Sequence, residues 1–307
     1  MSLNPKVEKL LENLAKLGLK PIYETPLADA RAYMVESSRL LGPPEPVETV
    51  EDRLIPGPGG ELLIRVYRPA GNSLPVVVYF HGGGWAIGSV DSHDGYCRTL
   101  ANAAGAIVVS VNYRLAPEHK FPAAAEDASA AVKWTFENAE SLGGKPGPIG
   151  VAGDSAGGNL AAACCLMARD RGEPDIGCQV LIYPITDCRF DTPSYLEFAE
   201  GYFLTRNAMI WFWDQYCPDI EARGNSYVSP LRAKSLAELP PALIMTAEYD
   251  PLRDEAEVYA ARLRDAGVEA KDLRYDGVIH GFTRRFQLLD EANDALDQTV
   301  AFIQWHL

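Results

Sequence analysis

Nothing in this 307-residue chain approaches 20 consecutive apolar residues, so no membrane-spanning helix is expected. The six cysteines (Cys97, Cys164, Cys165, Cys178, Cys188 and Cys217) never fall in CxxC spacing, and Cys164 and Cys165 lie inside a helical stretch. Neither a zinc site nor a disulfide framework is indicated. Positive charge is also in short supply. Lys and Arg number 28 against 42 Asp and Glu, giving a net charge of -14, and no basic run reverses it locally. Nucleic acid and anionic membrane surfaces are therefore poor partners. Screening over about 8 Å at physiological salt leaves only a mild bias against anionic substrates. The N-terminus repeats Leu3, Val7, Leu10, Leu11, Leu14 and Leu17, but Lys6, Glu8, Lys9, Glu12 and Lys16 interrupt them at helical spacing. The segment reads as an amphipathic helix, not a signal peptide, and the expected location is cytoplasmic.

What is present is ample material for a packed core: 47% of the residues are hydrophobic, and the charges are mixed along the chain. Two helices are expected up to about Leu41, closed by Gly42-Pro43-Pro44-Glu45-Pro46. A strand pair follows, near Val47 to Leu54 and Glu61 to Arg68, around a turn rich in proline and glycine. Beyond it, short apolar runs at Val76 to Phe80, Ile107 to Val111, Ile149 to Ala152, Gln179 to Tyr183, Ala242 to Thr246 and Ala270 to Tyr275 alternate with helical stretches. Continuous rather than alternating apolar character fits strands covered on both faces, hence an α/β fold with a mostly parallel central sheet flanked by helices. The alternation breaks between Asp187 and Pro230, where aromatic residues crowd. The expected organisation is a catalytic domain of residues 46–186 and 231–307, with a helical cap formed by the insertion 187–230 and the N-terminal helices of residues 1–45.

Gly153-Asp154-Ser155-Ala156-Gly157 is a GxSxG pattern between the strand Ile149 to Ala152 and a helix. So sharp a turn strains the serine backbone, and side chains at the flanking glycines would collide with the strand and helix. By itself the pattern is also compatible with an ordinary turn. A serine hydroxyl is a poor nucleophile at neutral pH, so acyl transfer needs a histidine to take its proton and a carboxylate to orient that histidine. Asp250 leaves the end of the strand Ala242 to Thr246. It is favoured over Glu248, still close to the strand, and over Asp254, expected on a solvated helix face. His280 follows the next strand in Val278-Ile279-His280-Gly281-Phe282. His93 reads as part of a polar loop, His119 as structural, and His306 is terminal. The order Ser155, Asp250, His280 is the nucleophile, acid, base order of the α/β-hydrolases. Phe80-His81-Gly82-Gly83-Gly84-Trp85 adds a glycine run directly after a strand, with no phosphate-loop signature beside it. Paired with Ser155, it fits an oxyanion hole.

His81-Gly82-Gly83-Gly84-Trp85, Gly153 to Asn159, Asp250-Pro251-Leu252-Arg253-Asp254-Glu255 and His280-Gly281-Phe282, together with Tyr113 to Glu118 and Phe121-Pro122-Ala123, resemble the hormone-sensitive-lipase-like esterases, the bacterial family IV of lipolytic enzymes. The resemblance covers essentially the whole chain. It implies an α/β-hydrolase fold with a helical cap, and hydrolysis of short to medium acyl-chain carboxylic esters through an acyl-enzyme, with no cofactor and no metal. By the same resemblance Ser155 is the nucleophile, His280 the general base and acid, and Asp250 its orienter. Gly83, Gly84 and Ala156 supply oxyanion N–H groups, and His81 braces the glycine loop. Trp85 is a further candidate for the substrate pocket. Met209 and Trp213, spaced i, i+4 on an expected cap helix, either line the acyl pocket or pack against the main domain. Two alternatives stay open: an amidase or peptidase using the same triad, and a noncatalytic receptor of small molecules. Plant gibberellin receptors share this architecture without the catalytic histidine. The expected partner is a small ester, and the sequence leaves monomer and homodimer open.

Overall fold

The computed structural model describes residues 2–307. Helices α1 (Pro5–Lys16) and α2 (Leu27–Arg39) precede a hairpin of β1 (Thr49–Gly57) and β2 (Gly60–Arg68). Then follow β3 (Val76–Phe80), α3 (Asp94–Ala104), β4 (Ile107–Val111), α4 (Ala123–Asn138), β5 (Ile149–Asp154), α5 (Ala156–Arg171) and β6 (Ile176–Ile182). After β6 come α6 (Pro193–Glu197), α7 (Arg206–Tyr216), β7 (Ala242–Tyr249), α8 (Arg253–Asp265), β8 (Ala270–Ile279) and α9 (Asp290–His306). The eight strands form one sheet in the order β1-β2-β4-β3-β5-β6-β7-β8. β1 and β2 run antiparallel to each other and β2 runs antiparallel to β4, while every pair from β4 to β8 is parallel. This is the α/β sheet expected from the apolar runs.

β3, β4 and β5 are buried at every residue, because helices cover both faces of the sheet. The helix most deeply enclosed is α5, buried without a break from Ala156 to Ala168. Its small side chains, with Ala161 to Ala163 and Cys164-Cys165, carry no polar face, which is the pattern of a helix with no solvent side. Alanine there lets the helix axis approach the sheet closely. Differences from the sequence expectation are local. The hairpin turn is shorter, since Pro56 pairs with Glu61 and Gly57 with Gly60. β8 runs on to Ile279, and it is this extension that delivers His280 to the end of a strand.

In the 187–230 segment α6 and α7 are each capped by a threonine: Thr192 accepts from Tyr195 N–H and Thr205 from Ala208 N–H. α7 packs on the short turn Ile22–Glu24 between α1 and α2. Arg31 of α2 donates to the carbonyls of Ala86 and Ala116 and pairs with Glu118, fastening the N-terminal region beside the glycine loop. α1 lies against β8, with Asn4 N–H donating to Gly277 O. One expectation needs correction. Asp254 is not on a solvated face: its carboxylate accepts Ser194 N–H at 2.8 Å and ties α8 to α6. His93 lies in the polar turn before α3, as expected, but is fully buried there, and His119 is exposed.

Candidate active site

Ser155 follows β5 directly and caps α5, with φ 56° and ψ -117°. A non-glycine residue rarely adopts such a backbone, and something must hold it there. The surroundings do: Ser155 N–H donates to Ile182 O at 2.8 Å, and its carbonyl accepts Asn159 N–H and Ile185 N–H. The flanking glycines are sterically required. A Cβ at Gly153 would strike the backbone of Gly157 and Phe80, and one at Gly157 would strike the Phe80 carbonyl. β5, α5 and the end of β3 thus meet with no room for side chains.

The end of β7 brings Asp250 to the same edge, and the end of β8 brings His280. His280 Nε2 lies 3.0 Å from Ser155 Oγ, and His280 Nδ1 lies 2.7 Å from Asp250 Oδ2. Asp250 is completely buried, and its other oxygen accepts Leu252 N–H at 2.9 Å. The carboxylate is thus held from both sides, and its short contact assigns the proton on His280 to Nδ1. Nε2 is then left as an acceptor for the serine hydroxyl. Tyr183 packs against the His280 ring at 4.5 Å between centroids, and its hydroxyl is 2.7 Å from Thr283 Oγ1. Such an arrangement can remove a proton from a hydroxyl, stabilise the resulting imidazolium and return the proton to a leaving group.

The glycine loop after β3 lies against this edge. Gly83 has φ 122° and Gly84 φ 57°. Both positions are also crowded, since a Cβ at Gly83 would meet the Ile87 carbonyl and one at Gly84 the ring of Phe212. Gly83 O accepts from Ala86 and Ile87 N–H, whereas the N–H groups of Gly83, Gly84 and Ala156 have no protein acceptor among the described residues. His81 is fully buried and stacks on Tyr113, with ring centroids 4.2 Å apart, and Tyr113 OH donates to His81 O at 2.7 Å. Burial first, and then His93 nearby, lowers His81 to about 3, so it is neutral and Nδ1 donates to Gly82 O.

Trp85, Met209 and Trp213 are all buried in the main core cluster. Trp85 stacks on Tyr216 at 4.3 Å and meets Trp213 edge-on at 5.2 Å. α7 therefore reaches the glycine loop through Trp213 and through Phe212, a contact that the sequence did not signal. Among the described residues no helix is long and apolar enough to cross a membrane, and no group of three or more His, Cys, Asp or Glu side chains could hold a metal ion.

Sequence reasoning also missed Asp154, His93 and Arg284. The Asp154 carboxylate accepts Tyr79 OH and Gly82 N–H, both at 2.8 Å, and has His93 Nε2 at 3.3 Å. Burial opposes this charge, but His93, Arg284 and the Tyr79 hydroxyl outweigh it and hold the carboxyl below the usual range. His93 is pushed down by burial and then by Arg284. The signal for Asp154 was its place inside the motif; His93 carried none.

The family model for the alpha/beta hydrolase fold matches residues 77–284. Carboxylic ester hydrolase LipN of Mycobacterium tuberculosis is 41% identical over 315 residues, covering 100% of this chain and 84% of that protein. Ethyl acetate hydrolase of Pseudomonas putida is 37% identical over 324 residues, covering 100% of both. A solved hyperthermophilic esterase from the archaeon Pyrobaculum calidifontis superposes with a TM-score of 0.92 at 48% identity, covering 99% of this chain and 98% of that one. With the sheet, the strand-end site and these likenesses in agreement, the chain belongs to the α/β-hydrolase fold family, in its hormone-sensitive-lipase-like branch, and is a carboxylic ester hydrolase.

Proposed function

We propose that the enzyme cleaves short to medium acyl-chain esters through a covalent acyl-enzyme on Ser155. The observation that carries this reading is the chain of contacts from Ser155 Oγ to His280 Nε2 at 3.0 Å and from His280 Nδ1 to Asp250 Oδ2 at 2.7 Å. In the first half-reaction Ser155 Oγ attacks the ester carbonyl as His280 Nε2 takes its proton. The tetrahedral oxyanion accepts N–H groups from Gly83, Gly84 and Ala156. Collapse breaks the carbon–oxygen bond, and His280 gives its proton to the departing alcohol. In the second half, His280 deprotonates a water that attacks the acyl carbon, and Ser155 leaves reprotonated with release of the acid. Each oxyanion donor is worth about 3 to 4 kcal/mol in systems of this kind.

The N-terminal helices and residues 187–230 act in this reading as a cap, with α7 closing over the glycine loop. Phe212 touching Gly84 and the packing of α7 on the Ile22–Glu24 turn support that role. Trp85, Met209 and Trp213, buried in the core, back the acyl side from behind rather than line it. The six cysteines, all unpaired, are in keeping with a reducing, cytoplasmic setting.

Hydrolysis of p-nitrophenyl esters with acyl chains from two to sixteen carbons, by the wild type and by Ser155→Ala, tests the reading. The wild type should favour the shorter half of the series, and the variant should lose activity by at least about 10⁴-fold while its fold is retained. Turnover persisting in Ser155→Ala would remove this serine from the mechanism. A flat response across the series would remove the chain-length assignment.

A further inference from the structure

Beneath Ser155 and His280 lies a second polar cluster for which the proposed chemistry has no use. Asp154 immediately precedes Ser155 and turns its carboxylate the opposite way, into the protein, where Oδ1 accepts both Gly82 N–H and Tyr79 OH at 2.8 Å. His93, fully buried, sits 3.3 Å from that oxygen through Nε2 and has Ser92 Oγ at 2.9 Å from Nδ1. Arg284, in the turn Phe282–Arg284 just beyond His280, places Nη1 3.4 Å from His93 Nε2 and donates from Nη2 to the Ser92 carbonyl. Three segments of the site meet here: the nucleophile turn through Asp154, the glycine loop through Gly82 and the base loop through Arg284.

A carboxylate is an expensive choice for this position. An ionised group out of water costs several kcal/mol before its partners offset it, and negative charge close to a developing oxyanion works against catalysis. An apolar residue would avoid both costs. What it would lack is an acceptor for Gly82 N–H, the hydrogen bond that directly joins the glycine loop to the residue next to Ser155. The fit has no slack, because a Cβ at Gly82 would fall on the Asp154 carboxylate and one at Gly88 would strike the Gly82 carbonyl from the other side.

We propose that Asp154 is a positioning residue for ester hydrolysis: by accepting the Gly82 N–H it holds the Gly83 and Gly84 donors at a set distance from the Ser155 hydroxyl, while His93 lies against the carboxylate and Arg284 fastens the His93 turn through the Ser92 carbonyl. The inference rests on the reading of Ser155 as nucleophile and of the glycine loop as oxyanion hole. A displacement of about 1 Å in such a site can cost about 10²-fold in rate, and the donors act on an atom that becomes negative only in the transition state. Loss of Asp154 should therefore lower kcat and leave KM nearly alone.

The test compares Asp154→Ala, Asp154→Asn and Tyr79→Phe with the wild type and Ser155→Ala on one p-nitrophenyl ester. Reactive sites are counted by complete stoichiometric phosphonylation, so that kcat is expressed per competent site. Asp154→Ala should lose about 30- to 100-fold in kcat with KM within about threefold. Asp154→Asn, whose side-chain carbonyl still accepts Gly82 N–H, should recover to within about fivefold of wild type. Tyr79→Phe, which removes the other bond to the same oxygen, should stay within about threefold whatever it does to the melting temperature. The proposal is overturned if Asp154→Ala keeps wild-type kcat per site, if Asn loses as much as Ala, or if Tyr79→Phe loses as much as either. Should Asp154→Ala not fold, Asp154→Ser, too short to reach Gly82, takes its place with the same expectation. Activity surviving in Ser155→Ala would instead strike the underlying mechanism, so the two failures are distinct.

Discussion

Two buried histidine–carboxylate pairs lie within one site and differ in what surrounds them. In the first, His280 meets Asp250 at 2.7 Å and turns its other nitrogen to the Ser155 hydroxyl at 3.0 Å. In the second, His93 meets Asp154 at 3.3 Å, and its remaining surroundings are Ser92 and the guanidinium of Arg284. The residue types match, and in each pair the other imidazole nitrogen meets a serine hydroxyl, Ser155 for His280 and Ser92 for His93; what differs is the guanidinium of Arg284, 3.4 Å from the same Nε2 of His93 that faces Asp154. His280 has no cation against its ring nitrogens in the contacts described above, whereas burial and then the fixed charge of Arg284 push His93 below its ordinary range and keep it neutral. A histidine beside an aspartate is therefore no sign of catalysis until its third neighbour is known. The carboxylates diverge as well: Asp250 accepts from the backbone of its own loop at Leu252, whereas Asp154 reaches across to another strand's loop at Gly82.

The comparison predicts unequal consequences of like substitutions. Asp250→Asn should cost about 10³- to 10⁴-fold in kcat, because the amide can donate to His280 Nδ1 and so favour the wrong tautomer. Asp154→Asn should cost no more than about fivefold, and equal losses from the two would erase the distinction drawn above. In α7, Met209→Ala should lower stability by about 2 to 5 kcal/mol, since Met209 is 1% exposed, and should shift the acyl-length optimum. Denaturant melts and the ester series read the two effects separately, and an unchanged optimum would leave Met209 with a packing role alone.

A smaller effect concerns acid. His81 is lowered to about 3 by burial and then by His93, whereas the unfolded chain titrates near 6.5. Between those values the unfolded state binds the extra proton, so stability contributed by neutral His81 is present above about pH 6.5 and is lost progressively as pH falls toward 3. His93, also lowered, adds in the same direction. His81→Gln cannot titrate and keeps an N–H donor for the Gly82 carbonyl, so its melting temperature should drop less between pH 7 and pH 4 than that of the wild type, by about 5 °C. Parallel curves for the two proteins would show that the buried histidine does not govern acid stability.

Much of the site was legible because its constraints are local. Gly153 and Gly157 bracket Ser155 since a Cβ at either would strike backbone, and that requirement stands in the sequence as two glycines. Asp250 and His280 each follow an apolar run and precede a helix or turn, which is enough to put them at strand ends. His93 left no such mark: Asp154 lies 61 residues away in the chain and Arg284 lies 191 away, so neither partner can be read from its neighbours. Asp254 was misplaced for the same reason, its partner being Ser194, 60 residues earlier.

By itself the sequence determined the alternation of buried strands and helices, the strained serine turn and the candidates for nucleophile, base and acid, because each follows from sterics and hydrophobic patterning within a few residues. Only the tertiary structure decided that β3 lies beside β5, so that the glycine loop reaches Asp154, and that β7 and β8 end where Asp250 and His280 can meet Ser155. Strand order and the angstrom-scale distances it sets depend on how whole layers pack against one another, and no local stretch of residues carries that information.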